Sequence, residues 1–176
     1  MKARWFSVLM LCAMSTLAQA QSHAKLELPA FAGLADKASQ SVIVSLDSSL
    51  LGMAGRFLNA QDPDEASAKR VISKLTGIYV RSYSFANDFV YPSGEIEGLR
   101  RQLTAPGWNR IVQTRNREQP ADVDIYVLVE NGKAMGLALI SVEPRELTVV
   151  NIVGTIELSE LHELEGKFGV PRLNGR

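Results

Sequence analysis

Two aspartates near the start of a predicted strand are the residues of this sequence that could perform acid–base chemistry. Asp122 and Asp124 are two positions apart, so a strand places both side chains on one side. A carboxylate pair can act as general acid and base when its surroundings separate the two pKa values. Near a strand start, however, such acids are more often solvated or paired with arginine, here Arg110 or Arg115. The sequence favours structural pairing and keeps acid–base catalysis as the alternative.

A second group of side chains could bind a ligand. The predicted strand from Ile78 to Phe85 has one face that carries three aromatic residues and an arginine, namely Tyr79, Arg81, Tyr83 and Phe85. As core, this face would pack under a helix, with the tyrosine hydroxyls at its edge. As a surface, it would form a groove for an extended peptide or a sugar, with Arg81 stacking or pairing beside the rings. We favour the core interpretation and keep the groove as a hypothesis, in which Tyr126 of a neighbouring hairpin is a further binding residue.

The sequence offers no other recognisable chemistry. Its two histidines, His23 and His162, are far apart, and its one cysteine, Cys12, lies in the N-terminal segment, so no zinc-binding cluster is predicted. No phosphate-binding loop, dinucleotide fingerprint or Gly-x-Ser-x-Gly motif occurs. A lone histidine on a predicted helix does not make a catalytic triad. We therefore predict no cofactor, no metal site and no catalytic residue.

The elements that position the candidate residues centre on a hairpin. Val123 to Glu130 has the period-two pattern of a strand, and Asn131-Gly132 follows at once. That dipeptide suits a type I′ turn because both central residues need a positive φ, so Glu130 should pair with Lys133. The remaining register follows by counting back from the turn: Val129 opposite Ala134, Leu128 opposite Met135, Val127 opposite Gly136, Tyr126 opposite Leu137 and Ile125 opposite Ala138.

A third strand should lie at the centre of the sheet. The turn Glu143-Pro144-Arg145-Glu146 leads into Leu147 to Ile156, which is apolar on both sides, and this pattern is typical of a central strand. Asn151 interrupts one side, and we expect a buried amide that is bonded to a loop or a helix end. Because both faces of the hairpin are apolar, either helices cover both faces, or the sheet curls on itself, or one face is an exposed binding patch.

The remaining elements complete an α+β fold. We predict a mostly antiparallel sheet of about six strands with helices packed on it, in a single domain. The other predicted elements are a strand at Val42 to Leu46, a helix capped by Asp47, a helix starting at Asp62-Pro63, a helix opened by Pro92-Ser93 with Arg100 and Arg101 outward, a strand at Trp108 to Thr114 and a last helix at Leu158 to Leu164.

The N-terminus has the features of a secretory signal peptide. A basic start precedes an apolar stretch from Trp5 to Leu17 and the small-residue cleavage site Ala18-Gln19-Ala20. Cys12 is preceded by Leu11, where lipoprotein signals have a small residue, so no lipid anchor is expected. We predict a signal peptide at 1–20, a mobile leader at 21–40, the domain at 41–165 and a tail at 166–176.

Charge and hydropathy limit the partners of the mature chain. Removing Lys2 and Arg4 from the 19 basic residues leaves 17 basic residues against 19 acidic ones. This balance lacks the excess of positive charge that is typical of a nucleic-acid-binding protein. No later apolar stretch approaches the roughly 20 residues that are needed to span a bilayer. A periplasmic or secreted location is therefore expected.

Three stretches carry a family resemblance: residues 77–85 (Gly-Ile-Tyr-Val-Arg-Ser-Tyr-Ser-Phe), Gly107-Trp108, and residues 146–154 (Glu-Leu-Thr-Val-Val-Asn-Ile-Val-Gly). Through them most of the mature chain resembles the bacterial family called domain of unknown function 4252. The resemblance implies a signal-bearing exported protein, without an assigned activity and without catalytic residues to carry over. It also implies lipid-anchored relatives, a pattern from which this chain departs at Leu11.

The function that these observations favour is a non-enzymatic periplasmic binding or interaction domain. Its partner would be an envelope protein or a second copy in a homodimer, with no nucleic acid and no membrane span. The alternative function is a small envelope hydrolase that uses Asp122 and Asp124.

Overall fold

The computed structural model describes residues 23–116 and 121–156. The predicted signal peptide, the predicted helix at Leu158 to Leu164 and the predicted tail lie outside the described residues. In chain order the elements are α1 (Ala32–Ala35), β1 (Gln40–Asp47), α2 (Ser48–Phe57), α3 (Pro63–Ser73), β2 (Leu75–Ser84), α4 (Ser93–Gln102), β3 (Trp108–Asn116), β4 (Ala121–Glu130), β5 (Lys133–Glu143) and β6 (Glu146–Ile156).

The six strands form one antiparallel sheet in the order β1-β2-β6-β5-β4-β3. The α+β fold that the sequence predicts is thereby confirmed. β6 lies between β2 and β5, and its side chains are buried on both faces from Leu147 to Gly154. A strand that is apolar on both sides takes this central place because burial on both faces removes the most apolar surface from water.

The hairpin confirms the predicted turn and corrects the register beyond it. Asn131 and Gly132 have φ values of 51° and 74°, and Glu130 pairs with Lys133. Met135 is then skipped in the pairing, so that Leu128 faces Gly136. The sequence predicts instead that Val127 faces Gly136. The bulge shifts all later pairs by one position, which places Tyr126 opposite Ala138 and Ile125 opposite Leu139.

Close packing explains why the bulge places Gly136 where it does. A Cβ atom built on Gly136 would lie 3.2 Å from Ala24 Cβ and 3.3 Å from Trp108 Cη2, which is tighter than most carbon contacts. Because the period of a strand is two, this one-residue shift turns Leu137 and Leu139 toward the opposite face from the one that the sequence predicts.

Both faces of the sheet are covered. On one, which we term the α4 face, the N-terminal segment and α4 contribute buried residues such as Phe31, Leu34 and Leu99. On the other, α2 and α3 contribute Leu51 and Val71. Val127, Leu137 and Leu139 on this second face of the hairpin are buried as well, so the alternative of a bare apolar face is wrong.

The N-terminal segment is part of the core. The sequence predicts a mobile leader over residues 21–40, whereas residues 23–39 pack on the α4 face, with Leu26 and Phe31 3% and 0% exposed. Asn151 joins this segment to the sheet: its Oδ1 accepts from Leu26 N at 2.9 Å, and its Nδ2 donates to Ala24 O at 3.0 Å. The buried amide expected at Asn151 is confirmed, and these bonds order the segment.

The helix starts follow the predicted caps. Asp47 Oδ1 accepts from Leu50 N at 2.9 Å, and Asp62 Oδ1 accepts from Asp64 N and Glu65 N at 2.9 and 3.1 Å. Among the described residues, no helix is long and apolar enough to cross a membrane. The Asp47 cap turns the chain directly from β1 into α2, so β1 ends beside a fixed helix.

Candidate functional site

The aromatic face of β2 divides into a buried half and an open half. Tyr83 and Phe85 are 0% and 7% exposed and belong to the core. The Tyr83 ring packs edge-on against Phe31 with 5.8 Å between the centroids, and its hydroxyl donates to Ala30 O at 3.2 Å. Burial raises the pKa of Tyr83, and the positive charge of Arg81 opposes that rise. In this half, the burial supports the core interpretation.

A ring cluster extends the buried half into the loop after β2. Phe85 stacks on Phe89 at 4.3 Å between the centroids, and Tyr91 meets Phe85 edge-on at 5.7 Å. Within the described residues, the Tyr91 hydroxyl is buried without a hydrogen-bond partner. Burial, followed by the negative charges of nearby Glu146, Glu143 and Asp88, raises the pKa of Tyr91 to about 12. These rings serve packing.

Tyr79 and Arg81 form the open half. Both are half-buried, and they line a cleft of about 590 Å³ between the N-terminal segment and the end of the sheet at β1. We call it the edge cleft; its lining residues are Lys25, Leu26, Glu27, Leu28, Ser45, Tyr79 and Arg81. A cleft of this size suits a small ligand or a few residues of a peptide.

The Tyr79 ring is held in one orientation by the residues above and below it. A Cβ atom on Gly77 would lie 2.6 Å from Tyr79 Cε2, so the ring lies against the bare backbone of that glycine. On the other side, Lys25 Nζ lies 4.7 Å from the ring centroid, a cation–π distance. Gly77 is therefore a positioning residue for the floor of the edge cleft.

Arg81 reaches from β2 to β1. Its Nη1 donates to Val80 O at 2.9 Å, to Val44 O at 3.2 Å and to Ser45 Oγ at 3.3 Å. Within the described residues, all recorded hydrogen bonds of Arg81 come from Nη1. Within that part of the chain no hydrogen bond is formed by Nε or Nη2, and a guanidinium presents such donors in a planar fork that suits a carboxylate.

The wall of the edge cleft is anchored and carries both signs of charge. The main chain of Glu27 pairs twice with the side chain of Gln102 on α4, through its N at 2.9 Å and its O at 3.0 Å. Lys25 and Arg81 supply two positive charges to the lining against the one negative charge of Glu27. The cleft can hold an anionic group by hydrogen bonds and charge.

The two candidate catalytic aspartates lie at the other end of the α4 face. Asp124 is 0% exposed, and its Oδ2 accepts from Arg100 Nε at 3.2 Å, Arg100 Nη2 at 3.1 Å and Arg115 Nη2 at 3.1 Å. Arg110 Nη1 lies 3.7 Å from Asp124 Oδ1. The structure thus shows the arginine pairing that the sequence favours. We call this set the Asp124 cluster.

Arg100 belongs to this cluster, although the sequence predicts that it points outward. Burial tends to lower the pKa of Arg100, but its hydrogen bond to Glu97 at 2.7 Å and the negative charge of Asp124 outweigh burial and raise it. Arg100 therefore stays charged and neutralises a carboxylate that is removed from water. The sequence pattern missed this role because Arg100 and Asp124 meet only when α4 folds over β4.

This geometry does not assemble an acid–base pair. Asp122 is half-exposed and lies 3.5 Å from Arg115 Nε, while both oxygens of Asp124 are occupied by guanidinium donors. Among the described residues, no group of three or more His, Cys, Asp or Glu residues could hold a metal ion. The Asp124 cluster is suited to holding α4, β3 and β4 together, not to proton transfer.

Tyr126 lies with the Asp124 cluster and apart from the edge cleft. It is 8% exposed, and Arg110 Cζ lies 6.0 Å from its ring centroid. Of the five residues predicted as a binding set, the structure brings two, Tyr79 and Arg81, into an open site. The burial of Tyr83, Phe85 and Tyr126 leaves them as support for the fold.

A family model for a domain of unknown function, DUF4252, matches residues 36–164 of this chain. The chain belongs to the DUF4252 family. Ser45, Tyr79 and Arg81 lie inside the matched range, whereas the cleft wall from Lys25 to Leu28 precedes it.

Other comparisons add no function to this DUF4252 protein. A crystal structure of TP0453 (crystal form III) is similar at 15% identity and a TM-score of 0.22, with 80% of this chain and 52% of that chain covered. The chain thus spans about half the length of that protein. No curated protein matches the chain.

Three residues that line the edge cleft of this DUF4252 protein were not predicted from the sequence. Lys25, Glu27 and Ser45 line the edge cleft, yet the first two fall in the segment predicted as a mobile leader. Apolar residues alternate there with charged ones, and in the structure Leu26 is buried while Lys25 and Glu27 are exposed. That period-two pattern was a signal for a segment that packs along one side.

Proposed function

We propose that this DUF4252 protein is a non-enzymatic binding domain that acts in the periplasm or after secretion and captures its partner at the edge cleft. The observation that carries the proposal is the state of Arg81, a half-buried arginine that lines the cleft and whose hydrogen-bond partners among the described residues are all neutral. Its counterparts in the Asp124 cluster are neutralised by carboxylates.

The location rests on the signal-like N-terminus from Trp5 to Ala20. Mass spectrometry of the protein purified from cell fractions should find Gln21 at the N-terminus of an extracytoplasmic species. An intact Met1 on a cytoplasmic protein, or a lipid on Cys12, would contradict the proposed location.

Site-specific photo-cross-linking tests the binding role. Ile43 is 56% exposed, and its partner across the strand pair is Arg81, so a benzoylphenylalanine at position 43 reports on occupants of the edge cleft. We expect a discrete adduct from envelope extract, and we expect Arg81→Ala to abolish it. The same label at Asp64, which is exposed at the start of α3, serves as the control. Equal labelling at both positions, or no adduct at position 43, would refute the proposal.

A further inference from the structure

We propose that the occupant of the edge cleft is an extended polypeptide segment that pairs with β1 as an added strand and places a carboxylate side chain against Arg81 and Lys25. This inference rests on the proposed binding function and names the class of its partner. It draws on the open edge of β1, the reach of Arg81 and the charge of the cleft.

β1 is an edge strand without the usual protection. Its one strand neighbour among the described residues is β2, and the pairing between them runs from Gln40 to Asp47 without a bulge. Natural edge strands are commonly blunted by charged side chains, proline or bulges. From Gln40 to Leu46, β1 carries none of these. Its outer backbone N–H and C=O groups are therefore a template for strand addition.

The opposite edge of the same sheet, β3, is protected against the addition of a strand. The pairing of β3 with β4 shifts between Arg110 and Val112, and β3 carries two arginines that are engaged with Asp124 and Asp122. A bulge and charged side chains both hinder the addition of a strand. Among the residues that the structure describes, one edge of the sheet is therefore protected and the other is not.

The contacts of Arg81 bring its guanidinium to β1, the strand to which a segment would be added. Although Arg81 belongs to β2, its Nη1 contacts Val44 O and Ser45 Oγ, both on β1. Neighbouring strands are about 4.8 Å apart, so an added strand would lie one spacing beyond β1, on the side of the strand away from β2. The hydroxyl of Ser45 is short and leaves room for a longer side chain to cross β1.

The charge of the cleft selects a carboxylate. Lys25 and Arg81 line it against the single acid Glu27, and charge-assisted hydrogen bonds to a carboxylate are about twice as strong as neutral ones. A second copy of β1 fits this chemistry poorly. Its one carboxylate, Asp47, already accepts from Leu50 N as the cap of α2. An acidic segment of another protein is therefore the better occupant.

The inference is tested by fluorescence anisotropy with two synthetic peptides and the mature chain. One peptide is Ser-Thr-Val-Thr-Glu-Thr-Val-Thr-Ser with a fluorescein label, and the other has Gln in place of Glu. We expect the Glu peptide to bind about tenfold more tightly, or more, because a lost charge-assisted pair costs at least that factor. Arg81→Gln should remove the preference, and Arg81→Lys should remove most of it because a lysine cannot bind a carboxylate in the bidentate manner.

Arg101→Gln is the matched control, since it removes the same charge from an exposed position on α4 and should leave the preference unchanged. Hydrogen exchange provides the second measurement. The Glu peptide should slow exchange of the amides of β1 and leave those of β3 unchanged. Equal binding of the two peptides, binding of neither, or carboxylate-dependent binding without slower exchange in β1 would overturn the inference.

The outcomes also separate this inference from the proposed function. An Arg81-dependent adduct at position 43, together with no preference between the peptides, would overturn the acidic segment and leave the binding role in place. If neither the adduct at position 43 nor the preference between the peptides were observed, the binding role would be overturned as well. Sedimentation equilibrium tests whether a second copy of the chain is the occupant. Self-association together with slow hydrogen exchange in β1, in the absence of peptide, would also overturn the proposal of an acidic segment.

Discussion

The two ends of the α4 face use arginines in opposite ways. Beside β3, Arg100 and Arg115 donate to Asp124, a carboxylate that is fully removed from water. Beside β1, Arg81 donates through Nη1 to two carbonyls and one hydroxyl, and it borders an open cleft. The sheet, the face and the residue type are the same, and the partners differ.

A structural arginine and an available one differ in the charge of their partners. A buried carboxylate needs its arginines because breaking such a pair leaves an uncompensated charge in a place of low polarity. An arginine whose partners are neutral loses less when they are exchanged, and its remaining donors can turn to an anion. The comparison predicts large effects on stability at the Asp124 cluster and small ones at the edge cleft.

The largest expected effect on stability tests whether Tyr83 belongs to the core and Tyr79 to the edge cleft. Tyr83→Ala should lower the free energy of unfolding by about 4 kcal/mol, because it removes a fully buried ring and leaves a cavity against Phe31. Tyr79→Ala, at the half-buried position on the same face of β2, should cost about 1 kcal/mol. Denaturant-induced unfolding measures both. Similar losses at the two positions would break the division of β2 into a buried and an open half.

The second effect tests the Asp124 cluster directly. Asp124→Asn should cost about 3 kcal/mol, because it removes the charge that Arg100 and Arg115 neutralise, although both arginines retain some solvent exposure. The half-exposed Asp122, changed to Asn, is the control and should cost less than about 1 kcal/mol. An Asp124→Asn variant as stable as the wild type would contradict a structural role for the cluster.

A smaller effect is expected at Arg81. Arg81→Gln should change the free energy of unfolding by less than about 1 kcal/mol, because its recorded partners are carbonyl and hydroxyl oxygens and the side chain is half-buried. Thermal and chemical unfolding measure this change. A loss as large as that of Asp124→Asn would show that Arg81 has a structural role like that of Arg100 and Arg115.

The smallest effect on stability is expected at Tyr91, a residue with a buried hydroxyl. The Tyr91 hydroxyl is buried without a partner among the described residues, whereas Arg81 lines the open edge cleft. Tyr91→Phe should therefore leave stability at pH 7 within about 0.5 kcal/mol, because the ring contacts with Phe85 and Phe89 remain.

The same variant should differ from the wild type at high pH. Burial and nearby carboxylates raise the pKa of Tyr91 from 10.0 to about 12, so its contribution to stability is complete below pH 10. Between pH 10 and 12 the unfolded chain loses this proton while the folded chain keeps it, and the folded state loses stability. Tyr91→Phe should show a shallower decline in that range. An identical pH profile would show that the hydroxyl is not buried.

Much of the architecture could be predicted from the sequence because its determinants are local. The Asn131-Gly132 turn needs positive φ at adjacent residues, and the Asp47 and Asp62 caps bond to amides within three positions. The apolar pattern on both sides of β6 indicates a central strand without reference to any neighbour. These features depend on backbone geometry and side-chain type within a few residues, and a sequence displays both directly.

The candidate site depended on contacts between distant parts of the chain. Sequence alone identified the aromatic face of β2 and placed Arg81 on it, but only the packing of residues 23–39 separates buried Tyr83 from open Tyr79. The bulge at Met135 arises where Gly136 must pass under Ala24 and Trp108. Arg100 turns inward because α4 carries it over Asp124, 24 positions along the chain. Local pattern specifies which side chains share a face, whereas the tertiary structure decides which of them a distant segment covers.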